Sequence, residues 1–258
     1  MNRSLTTKIF SLELKRTFRA PEFLFYTIAL PSVMYLIFGA LANYGKLPVG
    51  DTETNWSFII MANIAAYGAI LATTSVAADA AVEWIQGWGR QIALTPLKSS
   101  SFIKMKVSLG AAISLLPITA IFIIGASTTA QAELKDWFMT ALVLFIGAFS
   151  FGFYGIAASL IFRSQNAVSI ATGLTTLFAF GGNLFTPLEG FLLDLARFFP
   201  GYGYGVCVRY LASEGTQITM NGNSYTESLT VGMINFAAWT IIFLLLALFA
   251  WRRARTRR

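Results

Sequence analysis

Six stretches of this sequence are each long and apolar enough to cross a bilayer, and none carries an acidic or basic residue in its interior. A hydrocarbon core of about 30 Å takes about 20 apolar residues in helical form. The stretches run approximately Phe23–Asn43, Ser57–Ala78, Val107–Ser127, Trp137–Phe162, Ala167–Pro187 and Leu229–Trp251. They predict an all-α integral membrane protein with six transmembrane helices in one domain, residues 1–258. The first stretch exceeds the about 7–15 apolar residues of a secretory signal, so Ala40-Leu41-Ala42 is not read as a cleavage site. Composition agrees, with 56% hydrophobic and only 12% charged residues, against about 25% charged in a soluble domain.

The net charge of +7 acquires meaning once it is divided between the two sides. With the N-terminus in the cytoplasm, 15 of the 19 basic residues lie inside, and only Lys46, Lys135, Arg197 and Arg209 lie outside, beside eight acids. The inside is then +11 and the outside −4, as expected where Lys and Arg near span ends set orientation. Both termini are therefore expected in the cytoplasm. The basic tail 252–258 reads as an anchor at anionic lipid and not as a nucleic-acid site.

Several chemistries are excluded. The chain has no histidine and one cysteine, Cys207, which removes imidazole-based catalysis, histidine metal sites and C-x-x-C pairs. The charge-free spans lack the ionisable groups of proton relays and ion-coupled carriers. A P-loop needs G-x-x-x-x-G-K-[ST]; the nearest approach, Gly45-Lys46, lacks the first glycine and the hydroxyl. No cofactor is expected on the chain itself, so a transport role requires an outside energy source.

The polar groups within the spans are mostly amides and hydroxyls: Asn63, Tyr67, Thr172, Thr175, Thr176 and Asn235. They read either as interhelical hydrogen bonds, worth about 0.6 kcal/mol each in a membrane, or as substrate contacts. Ala148 and Gly152, then Gly155 and Ser159, place small residues four apart and predict a close helix approach.

Three segments are not simple spans. The leader 1–22 carries Leu5, Ile9 and Leu12 on one helical face and Phe10, Leu14 and Phe18 on nearly the opposite one, and its Lys8, Lys15, Arg16 and Arg19 suit a helix at the cytoplasmic head groups. It reads as an interfacial helix or a disordered tail, with Pro21 permitting a turn into the membrane. The connection 79–106 is far longer than the about 2–8 residues that join helices in a bundle. Trp84, Trp88 and Ile92 recur every four residues in it as one apolar ridge, ended before Pro96. Periodicity leaves two readings of that ridge, a lipid-resting helix or a partner-docking one. The connection 188–228 holds Leu188–Phe199, too short to cross, between Gly181-Gly182 and Pro200-Gly201, then Gly201-Tyr-Gly-Tyr-Gly205. It reads as a re-entrant pair of half-helices or as a hairpin lying on the outer surface.

At this point the chain resembles the permease subunits of type-two ATP-binding-cassette (ABC) exporters over its whole length. The leader LELKRTFRAPEFLFYTIALPSVMYLIFGA, the run Glu83-x-x-x-Gly87-x-x-Arg90 with Leu94-Thr95-Pro96-Leu97, and NLFTPLEGFLLDLARFFPGYGYGVCVRYL are similar to that family's opening, coupling segment and hairpin. Gly87-Trp88-Gly89 departs from it, with a second glycine in place of a bulkier residue. The resemblance implies a prokaryotic plasma-membrane location, a second permease copy or paralogue, and separate ATP-binding subunits that hold ATP and Mg. It assigns partner docking to Glu83, Trp84, Gly87, Arg90, Leu94 and Pro96. Within it, the leader is most similar to drug and antimicrobial-peptide exporters, and aromatic residues such as Phe178, Phe180 and Phe185 suit an amphiphilic cargo. Asn63, Tyr67, Phe178, Asn183 and Phe185 are the candidate translocation-path residues. The competing readings are a passive channel or scaffold without an ATPase, and an ABC permease for lipid-linked glycan or ion export.

Overall fold

The computed structural model describes residues 3–88, 91, 99–162, 164, 166–218 and 222–256. The leader forms α1 (Arg3–Phe18). Phe10 and Leu14 pack against Ala72, Val76, Leu109 and Ile113, while Leu12 is exposed. Phe10 and Leu14 of that stripe therefore face the protein, while Phe18 at its end is exposed. Ala20 is extended, and Pro21 opens the next helix from its first position, where its missing N–H costs nothing.

That helix, α2 (Pro21–Ala40), is widened into π turns at Phe25–Ala29 and Leu36–Ala40. Pro31 cannot donate to the carbonyl of Thr27, and the first widened turn sits just before it. Helix α3 (Trp56–Glu83) follows, capped by the Asn55 side chain, which accepts from the Phe58 N–H at 3.1 Å. It is the axis of the bundle, since only Ile60, Ser75 and Asp79 along it are not buried.

Small residues let α4 (Ser99–Ala126) and α5 (Leu134–Phe162) close on α3. A Cβ at Gly155 would stand 2.5 Å from the Thr74 carbonyl oxygen, and one at Gly110 would stand 3.2 Å from that of Thr73. The small-residue spacing expected to bring the fourth span onto a neighbour does so against α3. The connection expected over 79–106 is mostly helix. Asp79–Glu83 prolongs α3, a π turn Trp84–Trp88 follows, and Ser99 to Lys106 already belongs to α4.

The fifth apolar stretch differs from expectation. Only Ala167–Gly181 is helical, and this α6 has 15 residues, about 22 Å at 1.5 Å per residue, short of a hydrocarbon core. Among the described residues, five other helices are long and apolar enough to cross. The reason lies at Gly181 and Gly182, where the chain turns away: a Cβ at Gly181 would meet the Phe199 ring at 2.4 Å, and one at Gly182 would meet Gly201 and Tyr202 backbone at 2.6 Å. Two further helices occupy that space, α7 (Gly190–Ala196) and α8 (Pro200–Ser213).

Helix α8 is buried along most of its length and lies beside the first half of α5. Tyr204 donates to the Leu144 carbonyl at 2.6 Å, and Thr140 donates to the Val208 carbonyl at 3.4 Å. The alternating Gly-Tyr run makes this possible. Gly201 sits against the Phe178 carbonyl of α6, and Gly203 against Gly232 and Phe236 of the last helix, each closer than a Cβ permits. By contrast α7 presents Phe191 and Leu192 outward.

After α8 the chain departs from all-α. Strands β1 (Thr216–Ile218) and β2 (Ser224–Thr226) pair antiparallel with Gln217 opposite Tyr225. Asn221-Gly222 between them is a hairpin signal that was available in the sequence. The last helix, α9 (Leu229–Thr256), absorbs the start of the basic tail as helix; Arg257 and Arg258 lie outside the described residues. The first and last helices meet at one end of the bundle: Arg16 of α1 reaches Glu83 of α3, Glu13 of α1 reaches Lys106 of α4, and Trp251 of α9 packs on Trp84 with ring centroids 4.4 Å apart.

Candidate functional site

At the end of the bundle where α1 and α9 meet α3, charges that a hydropathy profile treats as loop are built into the packing. Lys106 of α4 is 2% exposed and places Nζ 2.8 Å from Glu83 Oε2 and 3.0 Å from Glu13 Oε2. Arg16 completes the knot with a short bond to Glu83, which raises its guanidinium above the ordinary value, and with a 3.7 Å approach to Asp79. Three helices are joined by this knot, α1, α3 and α4. Glu83, one of the residues expected at a partner contact, therefore points into the bundle and is occupied.

Trp84 is likewise buried, packed with Ala80, Met105 and Trp251. The expected ridge of Trp84, Trp88 and Ile92 is interrupted. Gly87 takes φ 118°, a conformation open to glycine, so Trp88 leaves the helical register and is 47% exposed, as is Ile85 to a similar degree. Of the six residues assigned to docking, Glu83 and Trp84 form the packed base of an exposed turn and Gly87 lies in the turn itself. Arg90, Leu94 and Pro96, with Ile92, lie outside the described residues.

Toward the other end of α3 a second polar cluster is enclosed. Arg209 of α8 is fully buried and bidentate to Glu227, Nε to Oε2 at 2.8 Å and Nη2 to Oε1 at 2.6 Å. Its Nη1 also donates to Asn63 Oδ1 at 3.2 Å and to the Asn183 carbonyl at 3.4 Å. Asn183, at φ 60°, accepts from the Leu188 N–H and donates to the Tyr225 hydroxyl at 3.0 Å. Burial, with Glu227 close by, pushes the Tyr225 phenol up to about 12, so it stays a neutral partner.

Next to this cluster Tyr67 shares a hydrogen bond with Thr176 at 3.0 Å and meets the Phe185 ring edge to face at 4.7 Å. Four of the five candidate path residues, Asn63, Tyr67, Asn183 and Phe185, are thus brought together where α3, α6 and α8 meet. Phe178 is on another face of α6, among Tyr154 and Phe243.

Over 197 residues, 75% of this chain and 79% of the relative, the sequence is 26% identical to a Bacillus subtilis (strain 168) protein named "Putative transport permease YvfS". No model of a known protein family matches the chain. The long apolar helices and this likeness agree on one point. The chain is a multi-pass membrane protein.

Sequence reasoning had counted Arg209 and Glu227 as outer loop charges and so missed the buried pair. The available signal was local: Arg209 sits in Val206-Cys-Val-Arg-Tyr-Leu211, one charge in an otherwise apolar helical run. Burial of a charge requires a partner, and Glu227 is the one acid placed to supply it in the second strand's exit.

Proposed function

We propose that the chain is the permease subunit of an ATP-driven ABC exporter, moving a hydrophobic or amphiphilic compound such as a drug, antibiotic or peptide out of a prokaryotic cell. The observation that carries this reading is the Ile85–Trp88 turn. It exposes two large apolar side chains at the tip of the central helix, while its base is fixed to α1, α4 and α9 through Glu83 and Trp84. A separate ATP-binding subunit that grips the turn would move the axis of the bundle as a unit. A surface that merely rested on lipid has no need of such a base. With the six apolar stretches free of charge and no P-loop in the sequence, the energy for transport is assigned to hydrolysis by a partner ATPase.

In this reading α2 to α6 and α9 cross the membrane, both termini are cytoplasmic, and α7 and α8 re-enter from outside to complete the crossing that α6 leaves short. The hairpin's supporting feature is α8 itself, which runs beside α5 to the depth of Leu144. A second permease copy, identical or paralogous, provides the other half of the pathway. Its cargo contacts are drawn from the Tyr67 and Phe185 side of α6, where Phe180 is half exposed.

Co-purification tests the proposal. The tagged chain, extracted in mild detergent with its operon neighbours expressed, should bring down a P-loop ATPase, and Trp88→Asp with Ile85→Asp should abolish that capture without altering thermal stability. A chain that never captures an ATPase, in vesicles that show no ATP-dependent cargo movement, is a passive channel or scaffold.

A further inference from the structure

The charge knot at the α1 end borders a cleft of about 210 Å³ whose lining is of two kinds. Charged side chains line it, Glu13, Arg16, Asp79 and Lys106, together with apolar ones that include Phe23 and Leu109. The charges do not balance. Among the described residues, Glu13, Asp79 and Glu83 bring three carboxylates to two cations, Arg16 and Lys106. Lys106 is held between Glu13 and Glu83, and Arg16 gives its short bond to Glu83. Asp79 is left with Arg16 Nη2 at 3.7 Å, beyond hydrogen-bond distance, and its side chain is 48% exposed on the cleft side. Among the described residues Asp79 thus has no cation within hydrogen-bond distance, while the outer part of Arg16, 60% exposed, offers a place for an anion a few ångströms away.

Size narrows the ligand. Pockets for whole drug-sized molecules run to about 300–1,000 Å³, so this cleft admits a head group and leaves an attached chain to lie along the apolar side chains. We propose that the cleft binds the phosphoethanolamine head of a membrane lipid, its primary ammonium on Asp79 and Glu13 and its phosphate on Arg16. This rests on the orientation proposed above, which puts α1 at the cytoplasmic head groups and opens the cleft to the inner leaflet. A choline head is a poorer fit, because its methyl groups hold the charge away from a carboxylate and donate no hydrogen bond. An anionic glycerol head brings no cation to Asp79.

Native mass spectrometry of the full chain, purified in detergent and titrated with lipids of matched acyl chains, tests this. Phosphatidylethanolamine should bind at least tenfold more tightly than phosphatidylcholine or phosphatidylglycerol. Asp79→Asn should remove that preference and leave the other two lipids unchanged, and Asp79→Glu should keep it. Soluble phosphoethanolamine should not compete at millimolar concentration, whereas a long-chain alkylamine should; competition by the soluble head alone would mean a free metabolite is the ligand and would overturn the lipid assignment. Equal binding of phosphatidylethanolamine by wild type and Asp79→Asn, or tightest binding of phosphatidylglycerol, overturns the site. Capture of the ATPase measured in the same preparations keeps the two proposals separable: a wild-type chain that shows no lipid preference but captures the ATPase rejects only this one, and a wild-type chain that shows the preference but captures no ATPase rejects only the exporter reading.

Discussion

Removing one member of the Arg209–Glu227 pair is the perturbation whose size follows most directly from the structure. Arg209 makes four hydrogen bonds, two to Glu227 and one each to Asn63 and Asn183, and neither charged side chain is more than 1% exposed. Arg209→Met strands a buried carboxylate and leaves the Asn63 amide oxygen without this donor; Glu227→Leu strands a buried guanidinium. Breaking a buried pair from one side costs about 3–5 kcal/mol, whereas replacing both partners by apolar groups of similar volume is close to neutral or stabilising. Each single variant should therefore lose about 3–5 kcal/mol, and the double variant should recover most of it. The coupling between the two sites then comes out at several kcal/mol, where independent sites add to within about 0.3–0.5 kcal/mol. The assay is reversible unfolding in mixed micelles followed by tryptophan fluorescence, with all four members of the cycle measured together. Additive losses, or single variants within about 1 kcal/mol of wild type, would refute the reasoning.

Other outcomes follow from particular contacts. Trp84→Ala should cost about 3–5 kcal/mol, as expected for a buried large aromatic, while Trp88→Ala, half exposed, should stay within about 0.5 kcal/mol in thermal unfolding. Gly203→Ala should prevent recovery of folded protein, because its Cβ would stand 2.5 Å from backbone atoms of α9; Gly173→Ala, with open space around it, should be tolerated or gain up to about 1 kcal/mol from helix propensity. Glu83→Gln should loosen α1, seen as faster proteolysis of the leader with cleavage of the α4–α5 connection unchanged. Wild type should lose stability as pH rises from about 10 toward 12, where the buried Tyr225 phenol binds a proton that its unfolded form releases; Tyr225→Phe should flatten that part of the curve.

Much of the bundle could be read from hydropathy because an apolar run of 20 residues has few alternatives. The places where that reading stopped short share a cause. A window that scores apolarity ends a span at the first charge, so it cut α3 at Ala78 and assigned Asp79 and Glu83 to a loop, although the helix continues and Lys106 and Arg16 pair with Glu83. The same bookkeeping placed Arg209 and Glu227 outside. Charge pairing is a long-range fact, here 18 residues apart in one case and 67 in another, and no local window contains it. The opposite error occurred at Ala167–Pro187, where apolarity continued past the glycines that end the helix. The glycine runs themselves were legible as breaks. What they break toward, a second helix filling the gap, required knowing that Gly201 and Gly203 would each touch a different neighbour.

The symmetry of α3 about Thr73 has a mechanical meaning. Thr73 is clasped between Gly110 of α4 and Gly152 of α5, ten residues from Glu83 in one direction and ten from Asn63 in the other, about 15 Å each way along a helix. A stiff rod pivoted at its midpoint returns the same displacement at both ends. A tilt of about 5° would move Glu83 by roughly 1.3 Å and carry Asn63 equally far the other way, enough to take its 3.2 Å bond with Arg209 out of hydrogen-bonding range. A displacement of Glu83 would thus be felt at the far cluster at equal amplitude and with opposite sign.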